Sequence, residues 1–149
     1  MERKLPYSLQ RGGIVLSVNM KEVSGEALAY LGDCVIELLV REHLVGLGLS
    51  GSGNLNKASL AFVKASSQCQ AMQNILPLLT EEETAIYKRG RNMSGGNVPK
   101  SATMAEYRTA TGMEALFGFL HLTERKDRMV ELFRAAYSLD EKDPKNEGN

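Results

Sequence analysis

Two carboxylates stand out because each is the only charge on a strongly apolar stretch. Asp33 is the single charged residue of residues 27–36, and Glu114 is the only formally charged residue of residues 109–123. An ionised carboxylate costs several kcal/mol to remove from water unless it finds a cation or a full set of hydrogen-bond donors. The sequence therefore predicts that both acids have a partner.

Glycines lie beside both acids. Gly32 precedes Asp33, and Gly112 and Gly118 flank Glu114. A glycine inside a helix costs about 1 kcal/mol relative to alanine and permits close approach of another backbone. We therefore expect the two helices to pack against each other, so that the two acids could meet.

The chemistry of such a pair has two interpretations. Like charges at close range cannot both stay ionised unless a cation lies between them, and Mg²⁺ suits a site with one or two carboxylates and several waters. In the alternative, each acid forms an ion pair with a basic residue such as Arg41 or Arg108. The residue types alone leave both interpretations open.

Composition indicates a soluble, globular protein. The chain has 149 residues, of which 43% are hydrophobic, and this is enough for one domain with a core of its own. It has no apolar run of membrane-spanning length and no secretory leader, so we expect a cytoplasmic protein without a membrane partner. Cys34 and Cys69 lack the spacing of a metal site and are expected to be reduced packing residues.

Charge is unevenly distributed along the chain. The net charge is zero, with 18 basic and 18 acidic side chains, which by itself argues against a nucleic-acid partner. Residues 87–108, here called the basic segment, nevertheless carry five cations against Glu106 alone. Such an excess is typical of a surface that binds phosphates, although a solvated loop is the open alternative. The five cations are Lys88, Arg89, Arg91, Lys100 and Arg108.

Hydrophobic periodicity predicts an all-α domain. Ser24 is the expected N-cap of the first helix, and Thr80 with Glu83 forms the capping box of another. Pro77 should end or kink the helix before it, and residues 90–100 hold too much glycine and proline for regular structure. Helices are expected over residues 24–44, 54–76, 80–89, 103–122 and 125–137.

The pattern divides the chain into three parts. Residues 1–23 form an N-terminal arm, in which residues 14–18 could be a short strand or the approach to the first helix. Residues 24–137 form the helical domain. Residues 138–149 are rich in charged residues, proline and asparagine, and are expected to be a disordered tail.

Two segments resemble the ribonuclease III family. Residues 28–35, Leu-Ala-Tyr-Leu-Gly-Asp-Cys-Val, resemble its signature helix, in which a leucine-glycine-aspartate triplet supplies a metal ligand. Residues 113–118, Met-Glu-Ala-Leu-Phe-Gly, resemble its second acidic helix. The match is closest to the Mini-ribonuclease III branch, which is reduced to the catalytic domain and lacks the usual double-stranded-RNA-binding module. Further matching stretches are residues 88–92, 99–100 and 107–112.

The resemblance covers about residues 25–137 and implies a ribonuclease III-like helical endonuclease domain that acts as a homodimer. It implies Mg²⁺-dependent cleavage of double-stranded RNA and maturation of the large-subunit (23S) ribosomal RNA precursor, with a ribosomal protein as a candidate helper. Asp33 and Glu114 take the positions of catalytic metal ligands. Contacts to RNA phosphates and 2′-hydroxyls are expected from Lys88, Arg89, Arg91, Asn92, Ser94, Lys100 and Arg108.

Two departures from the family pattern remove half of its four carboxylates. Ala29 stands where the larger enzymes have a glutamate, and Thr111 stands where they have an aspartate. One metal per subunit fits this halved set, unless RNA phosphates supply the missing oxygens. Glu26, Glu37 and Thr111 are expected only as supporting groups around the ligands.

The missing carboxylates also favour a competing hypothesis. A non-catalytic RNA-binding factor for ribosome assembly could keep the fold and lose the site. A helical adaptor without a nucleic-acid role is a third hypothesis, favoured only by the zero net charge.

Overall fold

A computed structural model describes residues 7–10, 13–16, 19–93 and 98–139 of the chain. No helix in these ranges is long and apolar enough to span a lipid bilayer. The described residues form one hairpin and six α-helices, which confirms the all-α prediction for the domain. The elements are β1 (Tyr7–Gln10), β2 (Gly13–Leu16), α1 (Gly25–Gly46), α2 (Ser52–Val63), α3 (Ala65–Ile75), a 3-10 helix (Leu76–Leu78), α4 (Glu81–Arg91), α5 (Met104–Leu122) and α6 (Lys126–Ala136).

The N-terminal arm contains the hairpin. β1 and β2 pair antiparallel, with Tyr7 opposite Leu16 and Gln10 opposite Gly13. Of the two options left open for residues 14–18, the strand is therefore correct over residues 14–16, while residues 17 and 18 lie outside the described part. The predicted tail also lies outside it from residue 140 onward.

The central element is α5, against which α1, α3, α4 and α6 all pack. Its sequence is apolar on almost every side, as expected for a helix surrounded by others. The most extensive contact between two described helices joins α1 and α5. Fully buried side chains on these two helices are Leu28, Ile36 and Val40 of α1 and Met113, Leu116, Phe117 and Leu120 of α5.

Side-chain caps fix the start of the site-bearing helices. The Ser24 hydroxyl accepts a hydrogen bond from Ala27 N, as predicted for the N-cap of α1. The predicted capping box of Thr80 and Glu83 starts α4, and a similar box at Thr103 starts α5. These local bonds satisfy N–H groups that have no partner within the helix.

Glu83 has a second role that the sequence did not reveal. Its buried carboxylate accepts hydrogen bonds from Arg128 Nε at 3.0 Å and Nη2 at 2.8 Å, which lowers the pKa of Glu83. Arg128 Nη2 also donates to the Leu78 carbonyl at 2.7 Å, and Arg125 pairs with Glu82. These bonds fix the start of α4 against α6.

The helix predicted over residues 54–76 is instead two helices. The chain is extended at Lys64 (ψ 149°), between α2 and α3. No glycine or proline marks this break. Carbonyls at a helix end lack partners within the helix, and here the Phe62 carbonyl accepts a hydrogen bond from the Tyr137 hydroxyl at 2.9 Å. The prediction for Pro77 is confirmed, since α3 ends at Ile75 and Pro77 lies in the 3-10 helix.

The apolar stretch of residues 27–36 is buried only in part. Tyr30 is 86% exposed, and Leu38, about two turns further along α1, is 55% exposed. Cys34 is also exposed, so its predicted packing role is wrong, although both cysteines are free thiols as expected. The reason is that the described neighbours cover one side of α1 and leave the other open.

Candidate functional site

Two glycines bring α1 and α5 into direct backbone contact. A Cβ on Gly32 would overlap the Glu114 carbonyl oxygen and lie 2.9 Å from Gly118 N. A Cβ on Gly118 would overlap the Leu28 carbonyl oxygen and lie 3.1 Å from Gly32 N. No other residue type would fit at either position without moving a helix. The helices therefore pack at their glycines, and we call this contact the first crossing.

The first crossing brings Asp33 to the same part of the molecule as Glu114. Asp33 directly follows Gly32, which lies against the main chain of Glu114. Asp33 is exposed and Glu114 is only partly exposed. The negative charge of Asp33 acts on the Glu114 carboxyl and raises its pKa. The two acids thus interact although they are far apart in the sequence.

The electrostatics of the pair disfavour a double negative charge. Burial, and after it the charge of Asp33, raises the pKa of Glu114 to about 8. Partial burial, and after it the charge of Glu37, raises the pKa of Asp33. The more buried acid of a coupled pair takes the proton first, so Glu114 is the group that protonates. A cation between the two acids would reverse this effect.

The alternative of separate ion pairs finds no support in the described residues. Arg41 pairs with Glu37, with Nη2 to Oε1 at 3.0 Å, and Arg108 is exposed on α5. None of the four ion pairs within the described part of the chain includes Asp33 or Glu114. Of the two interpretations of the acids, the geometry favours a bound cation.

The chemistry of the donors fits a hard ion that keeps its water. In the described ranges, no three His, Cys, Asp or Glu side chains are grouped as a metal site would need. Two carboxylates suit Mg²⁺, which takes oxygen ligands and retains several waters, whereas structural Zn²⁺ takes four protein ligands. A depression of about 410 Å³ beside Asp33 leaves room for water and a phosphate group. It is lined by Tyr30, Leu31, Asp33, Cys34 and Glu37.

The three expected supporting groups have different surroundings. Glu26 is exposed in the first turn of α1. The Thr111 hydroxyl donates to the Tyr107 carbonyl at 2.9 Å, within α5. Glu37 raises the pKa of Asp33. Of the three, Glu37 is the one that acts electrostatically on a candidate ligand.

A second pair of glycines brings the basic end of α4 against α5. A Cβ on Gly90 would lie 2.6 Å from Ala115 Cβ and 3.0 Å from Gly112 Cα. A Cβ on Gly112 would lie 2.6 Å from the Tyr87 ring. Ala115 follows Glu114, so this second crossing places the start of the basic segment beside the acidic part of α5.

The described side chains of the basic segment fall into two groups. Lys88, Lys100 and Arg108 are exposed. Arg91 and Arg89 have partners within the protein. Arg91 Nε donates to Asn92 Oδ1 at 3.1 Å, and its guanidinium lies 5.5 Å from the centre of the Tyr87 ring. Arg89 Nη2 donates to the Val23 carbonyl at 2.6 Å. Ser94, the remaining predicted RNA contact, lies outside the described residues.

Comparison with known proteins gives a consistent result. The sequence model of the Ribonuclease III domain matches residues 26–125. A Mini-ribonuclease 3 of Enterococcus faecalis is 44% identical over 114 residues, covering 75% of this chain and 86% of that protein. A Mini-ribonuclease 3 of a Thermoanaerobacter species is 32% identical over 141 residues, covering 95% of this chain and 99% of that protein.

Similarity in structure supports the same comparison. The crystal structure of a protein from Fusobacterium nucleatum matches this chain with a TM-score of 0.71 and 33% sequence identity. The match covers 77% of this chain and 93% of the other. The resemblance drawn from the two acidic helices is therefore confirmed over most of the chain.

Proposed function

Since the chain belongs to the ribonuclease III family and is thus an endoribonuclease, we propose that it cleaves double-stranded RNA with Mg²⁺ held by Asp33 and Glu114. The observation that carries this proposal is the first crossing. It joins the helices of the two acids by backbone contact, and no ion pair among the described residues neutralises either acid.

Asp33 and Glu114 bind the ion as carboxylates. The raised pKa of Glu114 belongs to the metal-free protein, and a neighbouring cation favours its ionised form. When bound, Mg²⁺ supplies Lewis-acid polarisation of the phosphoryl oxygen and an activated water for in-line attack, which leaves a 5′-phosphate. Because Ala29 and Thr111 offer no carboxylate, water or RNA phosphates would have to supply the remaining oxygens around a bound ion.

Cations of the basic segment bind the RNA backbone in this proposal. The second crossing supports it, because it fixes the end of α4 beside the stretch of α5 that carries Glu114. Duplex RNA is recognised mainly by shape, phosphates and 2′-hydroxyls, so binding should be modest and strongly dependent on salt. The proposed contacts are Lys88, Arg91, Asn92, Ser94, Lys100 and Arg108.

We also propose that the protein acts as a homodimer in the cytoplasm. Tyr30, which lines the same depression as Asp33, and Leu38 expose large apolar side chains on α1, and such exposure is typical of a surface that contacts another chain. A two-fold dimer would place one site on each RNA strand, which predicts staggered cuts. The proposed substrate, from the resemblance to Mini-ribonuclease III, is the 23S ribosomal RNA precursor, with a ribosomal protein as candidate helper.

One cleavage assay tests the enzymatic proposal. Purified wild type is incubated with long duplex RNA and either Mg²⁺ or EDTA, beside Asp33→Asn and Glu114→Gln. Glu42→Gln is the matched control, because Glu42 is an exposed acid on the same helix as Asp33. We expect Mg²⁺-dependent fragments with 5′-phosphates, a loss of about 10³-fold or more in both site variants, and no loss in the control.

Other outcomes of this assay point to the competing hypotheses. RNA binding by the wild type without fragments supports the assembly factor, for which the missing carboxylates at Ala29 and Thr111 are the favouring observation. Neither binding nor cleavage supports the adaptor. Cleavage that survives in both site variants rejects Asp33 and Glu114 as the metal ligands.

A further inference from the structure

The last turn of α4 contacts the start of α1. Arg89 Nη2 donates to the Val23 carbonyl at 2.6 Å, and Val23 precedes Ser24, the N-cap of α1. Gly25, the first residue of α1, also lies close to the end of α4. A Cβ on Gly25 would lie 3.4 Å from the Arg89 carbonyl oxygen and 3.2 Å from Met93 Sδ. The end of α4 and the start of α1 are therefore hydrogen bonded and lie close together, with little room for a side chain at Gly25.

The same turn of α4 contacts α5 on its other side. Gly90, the residue after Arg89, packs against Gly112 and Ala115, which lie on either side of Glu114 in the sequence. This turn therefore lies between the start of the helix that carries Asp33 and the middle of the helix that carries Glu114.

The hydrogen bond of Arg89 distinguishes it from the cation beside it. Lys88 and Arg89 are both exposed, but the Arg89 guanidinium has an acceptor on another element, 66 residues away. A charged donor forms a short and strong hydrogen bond, which here fixes the main chain where it enters α1. Asp33 lies about two and a half turns further along that helix.

We infer that Arg89 is a positioning residue rather than a phosphate contact. Its bond to Val23 sets the angle at which α1 reaches the first crossing, and so the place of Asp33 relative to Glu114. Its exposed neighbour Lys88 remains available to RNA, so a single turn of α4 both binds the substrate and orients the acids. This inference rests on the proposed function and revises the predicted role of Arg89.

The test compares Arg89→Gln with Lys88→Gln, which removes one charge from the same turn. Three measurements are made below the melting temperatures of both variants: RNA binding without metal over a range of salt concentrations, Mn²⁺ binding without RNA, and kcat and KM for cleavage of duplex RNA. Arg89→Lys, which keeps the charge and a donor, replaces Arg89→Gln if that variant does not fold.

The two variants should differ in every measurement. Lys88→Gln lowers the slope of log affinity against log salt by about 0.7 to 0.9, as the loss of one phosphate contact requires, and raises KM with kcat unchanged. Arg89→Gln keeps the wild-type salt slope, weakens Mn²⁺ binding several-fold and lowers kcat by about tenfold or more, because small displacements of catalytic groups are costly. A lower stability alone would produce none of these differences.

The failure of this inference is distinguishable from that of the proposed function. If the wild type cleaves duplex RNA but Arg89→Gln reduces the salt slope, or keeps wild-type Mn²⁺ binding and kcat, Arg89 is not a positioning residue. If the wild type does not cleave, the proposed function fails, while the salt and Mn²⁺ measurements still decide whether Arg89 contacts RNA or orients α1.

Discussion

Glycines allow close packing at both crossings on α5, but the charged residues near the two crossings have opposite signs. At the first crossing, Gly32 and Gly118 let backbone meet backbone, and the neighbouring charged groups are acids. At the second, Gly90 lies against Ala115 and Gly112 lies against the Tyr87 ring, so that α4 and α5 approach closely. There, the neighbouring charges are the cations of the basic segment.

The comparison shows how one apolar helix, α5, can pack against both α1, which carries Asp33, and the basic end of α4. Glu114 lies between Gly112, which receives the basic end of α4, and Gly118, which receives α1. The proposed metal site and the proposed phosphate-binding surface thereby lie beside each other, although α5 itself is almost uncharged after Arg108. Changes at the first crossing should therefore affect the rate of the cleavage step. Changes at the second crossing should affect both that rate and RNA binding.

The largest expected effect comes from filling the first crossing. Gly32→Ala and Gly118→Ala each place a Cβ on a carbonyl oxygen of the other helix, so the helices must separate. We expect both variants to lose about 1–3 kcal/mol or more of unfolding free energy and about 100-fold in kcat. Urea unfolding and cleavage assays measure the two effects.

Gly53→Ala is the matched control for these variants. Gly53 also lies in a helix, but a Cβ there meets nothing within 4 Å. The control should keep full activity and gain up to about 1 kcal/mol from helix propensity. Full activity in Gly118→Ala would show that the contact between α1 and α5 does not position the acids.

A smaller effect is expected at the second crossing. Gly90→Ala would place its Cβ 2.6 Å from Ala115 Cβ, which pushes α4 away from α5. We expect a loss of about tenfold in kcat/KM, shared between RNA binding and the chemical step. Steady-state kinetics and RNA binding without metal separate the two contributions.

A compensating change can confirm the geometry of the second crossing. Ala115→Gly removes the nearest atom that the new side chain would meet, so the double variant Gly90→Ala/Ala115→Gly should recover part of the lost activity. If the activity losses of the two single variants simply add in the double variant, residues 90 and 115 are not in direct contact.

The more buried acid at the first crossing, Glu114, should also make the stability of the protein depend on pH. The pKa of Glu114 is raised from 4.5 to about 8 in the folded, metal-free protein, so its protonated form favours folding. This contribution is complete below pH 4.5 and is lost as pH rises towards 8. Glu114→Gln removes the ionisable group, and its melting temperature should therefore exceed that of the metal-free wild type by several degrees near pH 8.

Melting curves at several pH values, with and without Mg²⁺, measure this effect. The difference between Glu114→Gln and wild type should vanish near pH 4.5, and Mg²⁺ should stabilise only the wild type. If the melting temperatures of Glu114→Gln and wild type change with pH in parallel, ionisation of Glu114 does not destabilise the folded protein.

The smallest effect is expected from Glu37→Gln. The ion pair of Glu37 with Arg41 is exposed and joins residues one turn apart, so its loss should cost only about 0.3–0.5 kcal/mol. Removing the charge should lower the pKa of Asp33 slightly and change kcat by less than about twofold. A large loss of activity would instead make Glu37 part of the metal site.

Local signals made much of this fold predictable. The caps at Ser24 and Thr80 act within one turn, so their residues alone identify the helix starts. The unusual positions of Asp33 and Glu114 beside glycines likewise indicated that their helices pack together. Such features depend only on residues that are close together in the sequence, so the sequence alone can reveal them.

Features that depend on distant residues could not be predicted in the same way. The break at Lys64 is accompanied by a bond from Tyr137 to Phe62, and the position of Arg89 by a bond to Val23. The exposure of Tyr30 was missed because α1 is apolar on several sides, and periodicity does not tell which side its neighbours cover. For the candidate site, the sequence thus identified the acids but not the contacts that orient them.

The order in which the crossing helices are synthesised has a consequence for the cell. Asp33 is translated early, whereas the helix that completes the first crossing comes from the last third of the chain. Contacts between distant parts of a chain form only when both have left the ribosome. A nascent or prematurely terminated chain therefore lacks the first crossing, so the proposed nuclease site would be assembled only when synthesis is nearly complete.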